Sequence, residues 1–117
     1  MEFFIRQHSE LPILKMQVVN DGRTDSWKTF NAELVNAIIR FSMRDESTGI
    51  NKIIMNNGFI VEKTNVSPTS PKEYYVCYKW SQRDTSKKGR FLGEFTIVTS
   101  TGELITPIRE NLYINIV

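Results

Sequence analysis

Apolar residues recur at every second position in several short segments of the chain, which is the period of a half-buried β-strand. Two such segments, residues 74–80 and 91–97, are separated by the polar stretch 81–90. The apolar positions on one face of each predicted strand are Tyr74, Val76, Tyr78 and Trp80, and then Phe91, Gly93, Phe95 and Ile97. We expect these two faces to meet in the core of a β-sandwich.

Turn signals divide the rest of the chain into further short strands. Asn-Asn-Gly at 56–58 predicts a tight hairpin between strands 51–55 and 59–63, and Ser-Thr-Gly at 100–102 predicts a second hairpin. Loops are expected at 20–31, where Trp27 and Phe30 would cap the core, and at 64–72, which contains two prolines. With strands at 3–7, 12–19 and 112–117 and a turn at 45–49, the total is roughly eight strands, typical of an antiparallel sandwich.

Residues 34–44 fit two different periods. The strand pattern places Ala37, Ile39, Phe41 and Met43 on one face and Arg40, Ser42 and Arg44 on the other. The helix pattern is met by Leu34, Ala37, Ile38 and Phe41. The strand is favoured because β-branched and aromatic residues continue the alternation as far as Met43.

Composition and charge narrow the class of protein. A chain of 117 residues fits one domain, residues 1–117, and its 40% hydrophobic and 24% charged residues are ordinary for a soluble globular protein. The net charge of +2 is too small to indicate a nucleic-acid partner. A single cysteine, Cys77, forms no intrachain disulfide, and we expect a packed thiol there. No signal-peptide pattern and no run of about 18 apolar residues is present, so we expect neither export by that route nor a membrane span.

Several sequence motifs together resemble a family of bacteriophage proteins. They are FFIRQHSELPIL, NDG, AIIRFSMRDESTG, YKWSQRDTSKKGRFLGEFTI, a short GELIT hairpin and a final YINIV strand. Over nearly the whole chain they resemble the N-terminal domain of the baseplate upper protein of tailed phages, and small immunoglobulin-like proteins of phage tails and necks. The resemblance implies an all-β, immunoglobulin-like antiparallel sandwich of about seven to eight strands.

The same resemblance implies a function. It indicates a non-enzymatic structural protein of a tailed-phage virion, located in the tail, baseplate or neck, made in the host cytoplasm and assembled with other virion proteins, in a homo-oligomeric ring. The sequence has no counterpart of the helical linker and C-terminal receptor-binding-protein anchor of the baseplate family. We therefore expect an accessory or joining protein rather than a host-receptor adaptor.

The most specific motif is Tyr78-x-Trp80 with the residues that follow it. We expect Trp80 to fill the core, Asp84 or Thr85 to hydrogen-bond backbone in the corner, and Gly89 to permit the sharp entry into the strand of Phe91. Many immunoglobulin-like domains carry a similar corner for the same structural reason.

Catalytic and metal-binding chemistry has few candidate residues. His8 is the single histidine, no nucleophile elbow accompanies it, and one histidine with one cysteine supplies too few zinc ligands. We therefore predict a surface histidine, no catalytic or metal site and no cofactor. The possible calcium ligands do not form an Asp-x-Asp-x-Asp-Gly loop and are predicted to be solvated turn carboxylates; they are Asp21, Asp25, Asp45, Glu46 and Asp84.

Surface contacts are predicted at the N-terminal strand, the terminal strand and the basic stretch 83–90. Basic residues beside Trp80 also fit phosphate binding, but a salt-bridging surface against an acidic subunit is favoured over a nucleic-acid site. Tyrosines near Trp80, or Trp27, leave a carbohydrate-binding or adhesin module as the alternative function. The predicted assembly contacts are Phe3, Phe4, Arg6, Arg83, Lys87, Lys88, Arg90 and Tyr113.

Overall fold

A computed structural model describes residues 1–18, 34, 36–62, 74–100, 102–107 and 110–117. Within these ranges the chain is nearly all β, as the alternation of apolar residues predicts. The strands are β1 (Glu2–Ile5), β2 (Leu14–Gln17), β3 (Ile38–Asp45), β4 (Asn51–Asn57), β5 (Phe59–Glu62), β6 (Tyr74–Tyr78), β7 (Gly89–Thr99), β8 (Gly102–Thr106) and β9 (Leu112–Ile116).

These strands form two sheets that pack as a sandwich. The large sheet has the order β1-β9-β7-β3-β4, and the small sheet has the order β2-β6-β5. Strand β7 is long enough to pair with β9 along its first half and with β8 along its second half, while β3 pairs along its other side. Strand β1 is parallel to β9 and the other pairs are antiparallel, so the large sheet is mixed.

The core lies between the two sheets and is built from every second residue of the strands, on the face of each sheet that points inward. Phe41, Phe91, Phe95 and Trp80 are at most 1% exposed. Gly93 provides the space for one of these rings, because a Cβ at that position would lie 3.1 Å from the ring of Phe41. All the inward positions predicted for segments 74–80 and 91–97 are buried, as are Leu112, Ile114 and Ile116 of β9.

The hairpin predicted at residues 56–58 is wrong. Strand β4 pairs with β3 in the large sheet, whereas β5 pairs with β6 in the small sheet, so the chain changes sheets between them. The crossing residue is Gly58, whose N–H donates to the carbonyl of Ile39 at 2.8 Å. A Cβ on Gly58 would lie 2.7 Å from the carbonyl oxygen of Cys77, so glycine is required where the two sheets approach. The second predicted hairpin is confirmed by the pairing of β7 with β8.

Two other predicted segments change at their ends. The strand predicted at 34–44 begins at Ile38, and Leu34 is buried outside it with helical backbone geometry, so the strand prediction was wrong for Leu34. Strand β1 ends at Ile5, because the chain turns toward the 81–88 loop and His8 adopts a φ of 66°. The predicted loops at 20–31, with Trp27 and Phe30, and at 64–72 lie outside the described residues.

Candidate functional site

The corner, defined as residues 78–91, connects the small sheet to the large sheet and is centred on Trp80. This indole is 1% exposed, stacks on Phe3 with ring centroids 5.8 Å apart, and meets Phe41 and Tyr78 edge-on at 5.6 and 5.2 Å. Its Nε1 is buried without a hydrogen-bond partner in the described part of the chain. Trp80 and the partly buried Phe3 therefore pack together in the core.

A series of hydrogen bonds, buried at its centre, links the corner to β4. The Asn56 side chain donates to the Tyr78 hydroxyl at 3.1 Å, and this hydroxyl donates to the Asp84 carboxylate at 2.6 Å. The same carboxylate oxygen accepts the backbone N–H of Ser81 at 2.9 Å. Burial raises the pKa of Tyr78 to about 12, and its hydrogen bond to Asp84 acts in the same direction. These hydrogen bonds thus connect β4 of the large sheet to β6 of the small sheet.

The corner also anchors the segment that follows β1. Thr85 is fully buried, donates its hydroxyl to the carbonyl of Ser9 at 2.9 Å, and accepts the backbone N–H of His8 at 2.9 Å. The Gln7 side chain donates to the carbonyl of Ser86 at 2.8 Å. Asp84 and Thr85 therefore both bond to backbone, and the N-terminal segment is held against the corner.

Gly89 begins β7 with a φ of 149°, a value that side-chain-bearing residues rarely adopt. Two residues later, Phe91 enters the core at 1% exposure. Each residue predicted for the corner thus takes part in core packing, in a backbone hydrogen bond or in the entry into β7.

The basic stretch 83–90 is partly neutralised within the chain. The Arg90 guanidinium lies 3.7 Å from the ring centroid of Tyr113, 3.1 Å from a Glu2 carboxylate oxygen and 3.3 Å from a Glu46 carboxylate oxygen. Cation–π and ion-pair contacts of this kind fix the guanidinium in place. Lys87 lies 3.8 Å from Asp45. These intramolecular partners were not predicted, because Glu2 is 88 residues from Arg90 in sequence.

Only some of the predicted assembly contacts have side chains that are exposed and not engaged within the described residues. Phe4 is 59% exposed on the outer face of β1, and Arg6 is exposed just beyond that strand. Arg83 and Lys88 are exposed and have no ion pair within the described ranges. We refer to Phe4 and Arg6, on the outermost strand of the large sheet, as the N-terminal edge.

A second surface was missed by the sequence analysis. It lies on the outer face of the large sheet, where large apolar side chains are exposed; this outer-face patch consists of Ile38, Ile54, Met55, Val98 and Ile105. Its signal in the sequence is the run Ile53-Ile54-Met55, because three consecutive apolar residues break the period of two expected for a half-buried strand.

The described residues carry no constellation with evident catalytic or metal-binding chemistry. No group of three or more His, Cys, Asp or Glu that could hold a metal ion occurs among them. His8 is exposed, and Cys77 is buried as predicted for a packed thiol, with a pKa raised by burial. Hydrogen bonds from Ser47 lower the pKa of Asp45, which caps the 45–49 turn. Asp21 and Asp25 lie outside the described residues.

Comparison with known proteins returned no matching family model, no matching curated protein and no matching solved structure. In the described residues, no helix has the length and apolar character needed to cross a membrane.

Proposed function

We propose that the chain is a non-enzymatic structural protein of a tailed-phage virion, located in the tail, baseplate or neck. In this proposal an immunoglobulin-like sandwich assembles with other virion proteins, with copies of the chain forming a ring. The sequence resemblance supplies the virion context, and the surface described above supplies a place for contact.

The observation that carries the assembly role is the N-terminal edge. Strand β1 is the last strand of the large sheet, and no other described strand pairs with its outer side. Its Phe4 side chain is 59% exposed, although the flanking Phe3 and Ile5 are packed inward. An outermost strand with an exposed aromatic ring is a liability for an isolated domain and a contact for an assembled one.

The strand order supports the immunoglobulin-like part of the proposal. In variable-type immunoglobulin domains, strands B, E and D lie in one sheet, and strands G, F, C and C′ lie in the other. The order β2-β6-β5 corresponds to B-E-D, and the order β9-β7-β3-β4 corresponds to G-F-C-C′. Strand β8 is an addition to that pattern.

The buried polar groups of the corner are hydrogen-bonded within the fold, which supports a non-enzymatic role. The Asp84 carboxylate is occupied by the Tyr78 hydroxyl and the Ser81 N–H, and Thr85 is occupied by backbone. The thiol of Cys77 is buried, and burial raises its pKa, which favours the unreactive thiol form.

Mass spectrometry of purified virions tests this proposal. We expect the chain in the particle at many copies, and we expect Phe4→Ser to reduce its incorporation more than Ile50→Ser, a matched change at a side chain that is 69% exposed outside the N-terminal edge. Absence of the chain from virions of a phage that expresses it would contradict the proposal. Specific binding on a glycan array, lost on substituting Tyr75, would instead favour the carbohydrate-binding alternative.

A further inference from the structure

The outer-face patch is apolar surface that the fold does not bury. Ile38, Ile54, Met55 and Ile105 are 51%, 66%, 46% and 54% exposed. They lie on β3, β4 and β8, with the half-buried Val98 between them on β7. Four neighbouring strands about 4.8 Å apart make this patch roughly 14 Å wide. Several large apolar side chains exposed on one solvent-facing sheet indicate a contact site.

The backbone of β4 is distorted in a way that builds the patch. Phe41 pairs with Asn56 and Met43 pairs with Ile53, so Ile54 and Met55 together oppose Ser42 in a β-bulge. Met55 has a φ of 50°, a conformation unfavourable for a side chain of its size.

This distortion lays Met55 across the outer face. Its N–H donates to the Ser42 hydroxyl at 3.0 Å, and its sulfur lies 3.9 Å from the Thr96 hydroxyl of β7. Thr96 is only 5% exposed although its strand position faces outward. The strained backbone thus holds a flexible, half-exposed thioether over the centre of the sheet, the kind of side chain common at binding surfaces.

The same distortion makes the face, rather than the edge of β4, the contact site. Two register shifts interrupt the pairing of β3 with β4. Bulges bend an edge strand and disfavour the addition of another strand to it.

The charges around the patch identify its occupant. Arg40 and Arg44 lie on β3, whereas Glu94 and Glu103 lie on β7 and β8, and none of the four has an ion-pair partner among the described residues. Two charges of each sign leave the face without net charge. A strongly acidic or basic partner would leave one sign uncompensated, whereas a second copy of the same face compensates both.

The arrangement of these charges fits a twofold axis. An axis parallel to the strands and between β3 and β7 places β3 of one copy opposite β7 of the other, and β4 opposite β8. Ser42 of each copy then lies opposite Glu94 of the other, so that Arg40 and Arg44 flank this glutamate on both sides. Ile54 and Met55 lie one residue pair along the strands from Ile105. Apolar contacts at the centre and opposite charges around them are the usual composition of a specific interface.

We propose that the outer-face patch is the contact surface of a symmetric homodimer of this chain. The dimer contact stands apart from the proposed virion role, since it uses the patch on β8, β7, β3 and β4 and not the N-terminal edge on β1.

Analytical ultracentrifugation of the full chain over a concentration series tests the proposal. We expect a monomer–dimer equilibrium, and we expect Ile105→Glu to weaken it at least ~10-fold. Ile50→Glu, at an exposed apolar residue outside the patch, is the matched control and should leave dimerisation unchanged. Circular dichroism and thermal unfolding verify that both variants are folded, which the exposure of both positions favours.

A charge reversal makes the test specific for the twofold arrangement. Arg40→Glu and Glu94→Arg should each weaken the dimer, and the double variant should recover most of the lost affinity. A wild-type chain that stays monomeric up to about 1 mM would overturn the proposal. A dimer unaffected by Ile105→Glu, or one dissociated by Phe4→Ser instead, would also overturn it, because the contact would then lie elsewhere.

Discussion

At the centre of the corner, Trp80 is packed in the core and Asp84 is buried and hydrogen-bonded, whereas the side chains of the outer-face patch are apolar and face solvent. In the corner, Trp80 and Asp84 are 1% and 8% exposed. In the patch, Ile54 and Met55 are 66% and 46% exposed, and the charged residues around them lack ion-pair partners within the described ranges.

This difference indicates which parts of a small β-sandwich domain are available for function. Tryptophan, tyrosine and aspartate attract attention because they are common in binding and catalytic sites. Here they form the connection between two sheets, in which Trp80 packs the core and the polar groups of Tyr78 and Asp84 are hydrogen-bonded to each other. Three isoleucines, a valine and a methionine, marked in the sequence only by the apolar run 53–55, form the surface available to a partner. Substitutions in the corner should therefore change stability, and substitutions in the patch should change association.

The largest effect is expected at Trp80. Trp80→Ala removes a fully buried indole that contacts Phe3, Phe41 and Tyr78, and should lower the free energy of unfolding by about 3–5 kcal/mol. Ile105→Ala, in the patch, should change it by less than about 0.5 kcal/mol. Urea denaturation measures both. A loss below about 1 kcal/mol for Trp80→Ala would show that the corner is not a core element.

An alkaline loss of stability is expected from Tyr78. Its pKa is raised to about 12 in the folded chain, above the usual value of about 10, so the folded state retains this proton more tightly than the unfolded state. The contribution is fully present below about pH 10 and is lost as the pH rises to about 12. The change is at most about 2–3 kcal/mol, because solvent screens part of the effect at this part-buried hydroxyl. Tyr78→Phe lacks it, so the difference between the two unfolding free energies should change across this interval. A constant difference would contradict the assignment.

A smaller loss of stability is expected at Gly58, which joins β4, the strand of Met55, to β5 of the small sheet. Gly58→Ala places a Cβ 2.7 Å from the Cys77 carbonyl and 2.8 Å from Ile39, and should cost about 2 kcal/mol. Gly49→Ala is the control, because its φ of 73° costs about 1 kcal/mol while no atom lies within 4 Å of the new methyl group. Thermal unfolding ranks the two variants, and equal losses would argue against the close approach at Gly58.

The smallest effect on stability is expected at Met55. In Met55→Gly, relief of the left-handed backbone offsets the lost contact with Thr96, so the free energy of unfolding should change by less than about 0.5 kcal/mol. Dimerisation should nevertheless weaken, as sedimentation would detect. A destabilisation above about 2 kcal/mol would instead show that Met55 stabilises the fold, as the corner residues do.

Local patterns predicted the faces of the strands and the β7–β8 hairpin, but not the pairing of β4 and β5. The alternation in β7 and β9 identified the buried residues because each strand has one apolar and one polar face. Asn-Asn-Gly at 56–58 is a strong local signal for chain reversal, yet β4 and β5 pair with different strands. The competing pairings with β3 and β6 involve residues distant in sequence, which no short-range signal contains.

The surface was harder to predict than the core. The corner residues were identified because a tryptophan, a turn carboxylate and a glycine have characteristic structural uses. Arg90 was expected to face a partner, but Glu2 and Glu46 occupy its guanidinium. The bulge at Met55 depends on its register with Ser42, which becomes visible only after the strands are paired. The virion role stays a prediction.

The parallel pairing of β1 with β9 has a consequence for the order of folding. It joins residues 2–5 to residues 113–116, close to the largest sequence separation that this chain allows. Contacts between such distant segments form late, because the entropy of closing so long a loop must first be overcome. During translation, β1 has no partner strand until β9 has left the ribosome. The N-terminal edge and its exposed Phe4 are therefore ordered only once β9 has been synthesised and paired, which delays any assembly through this edge until that point.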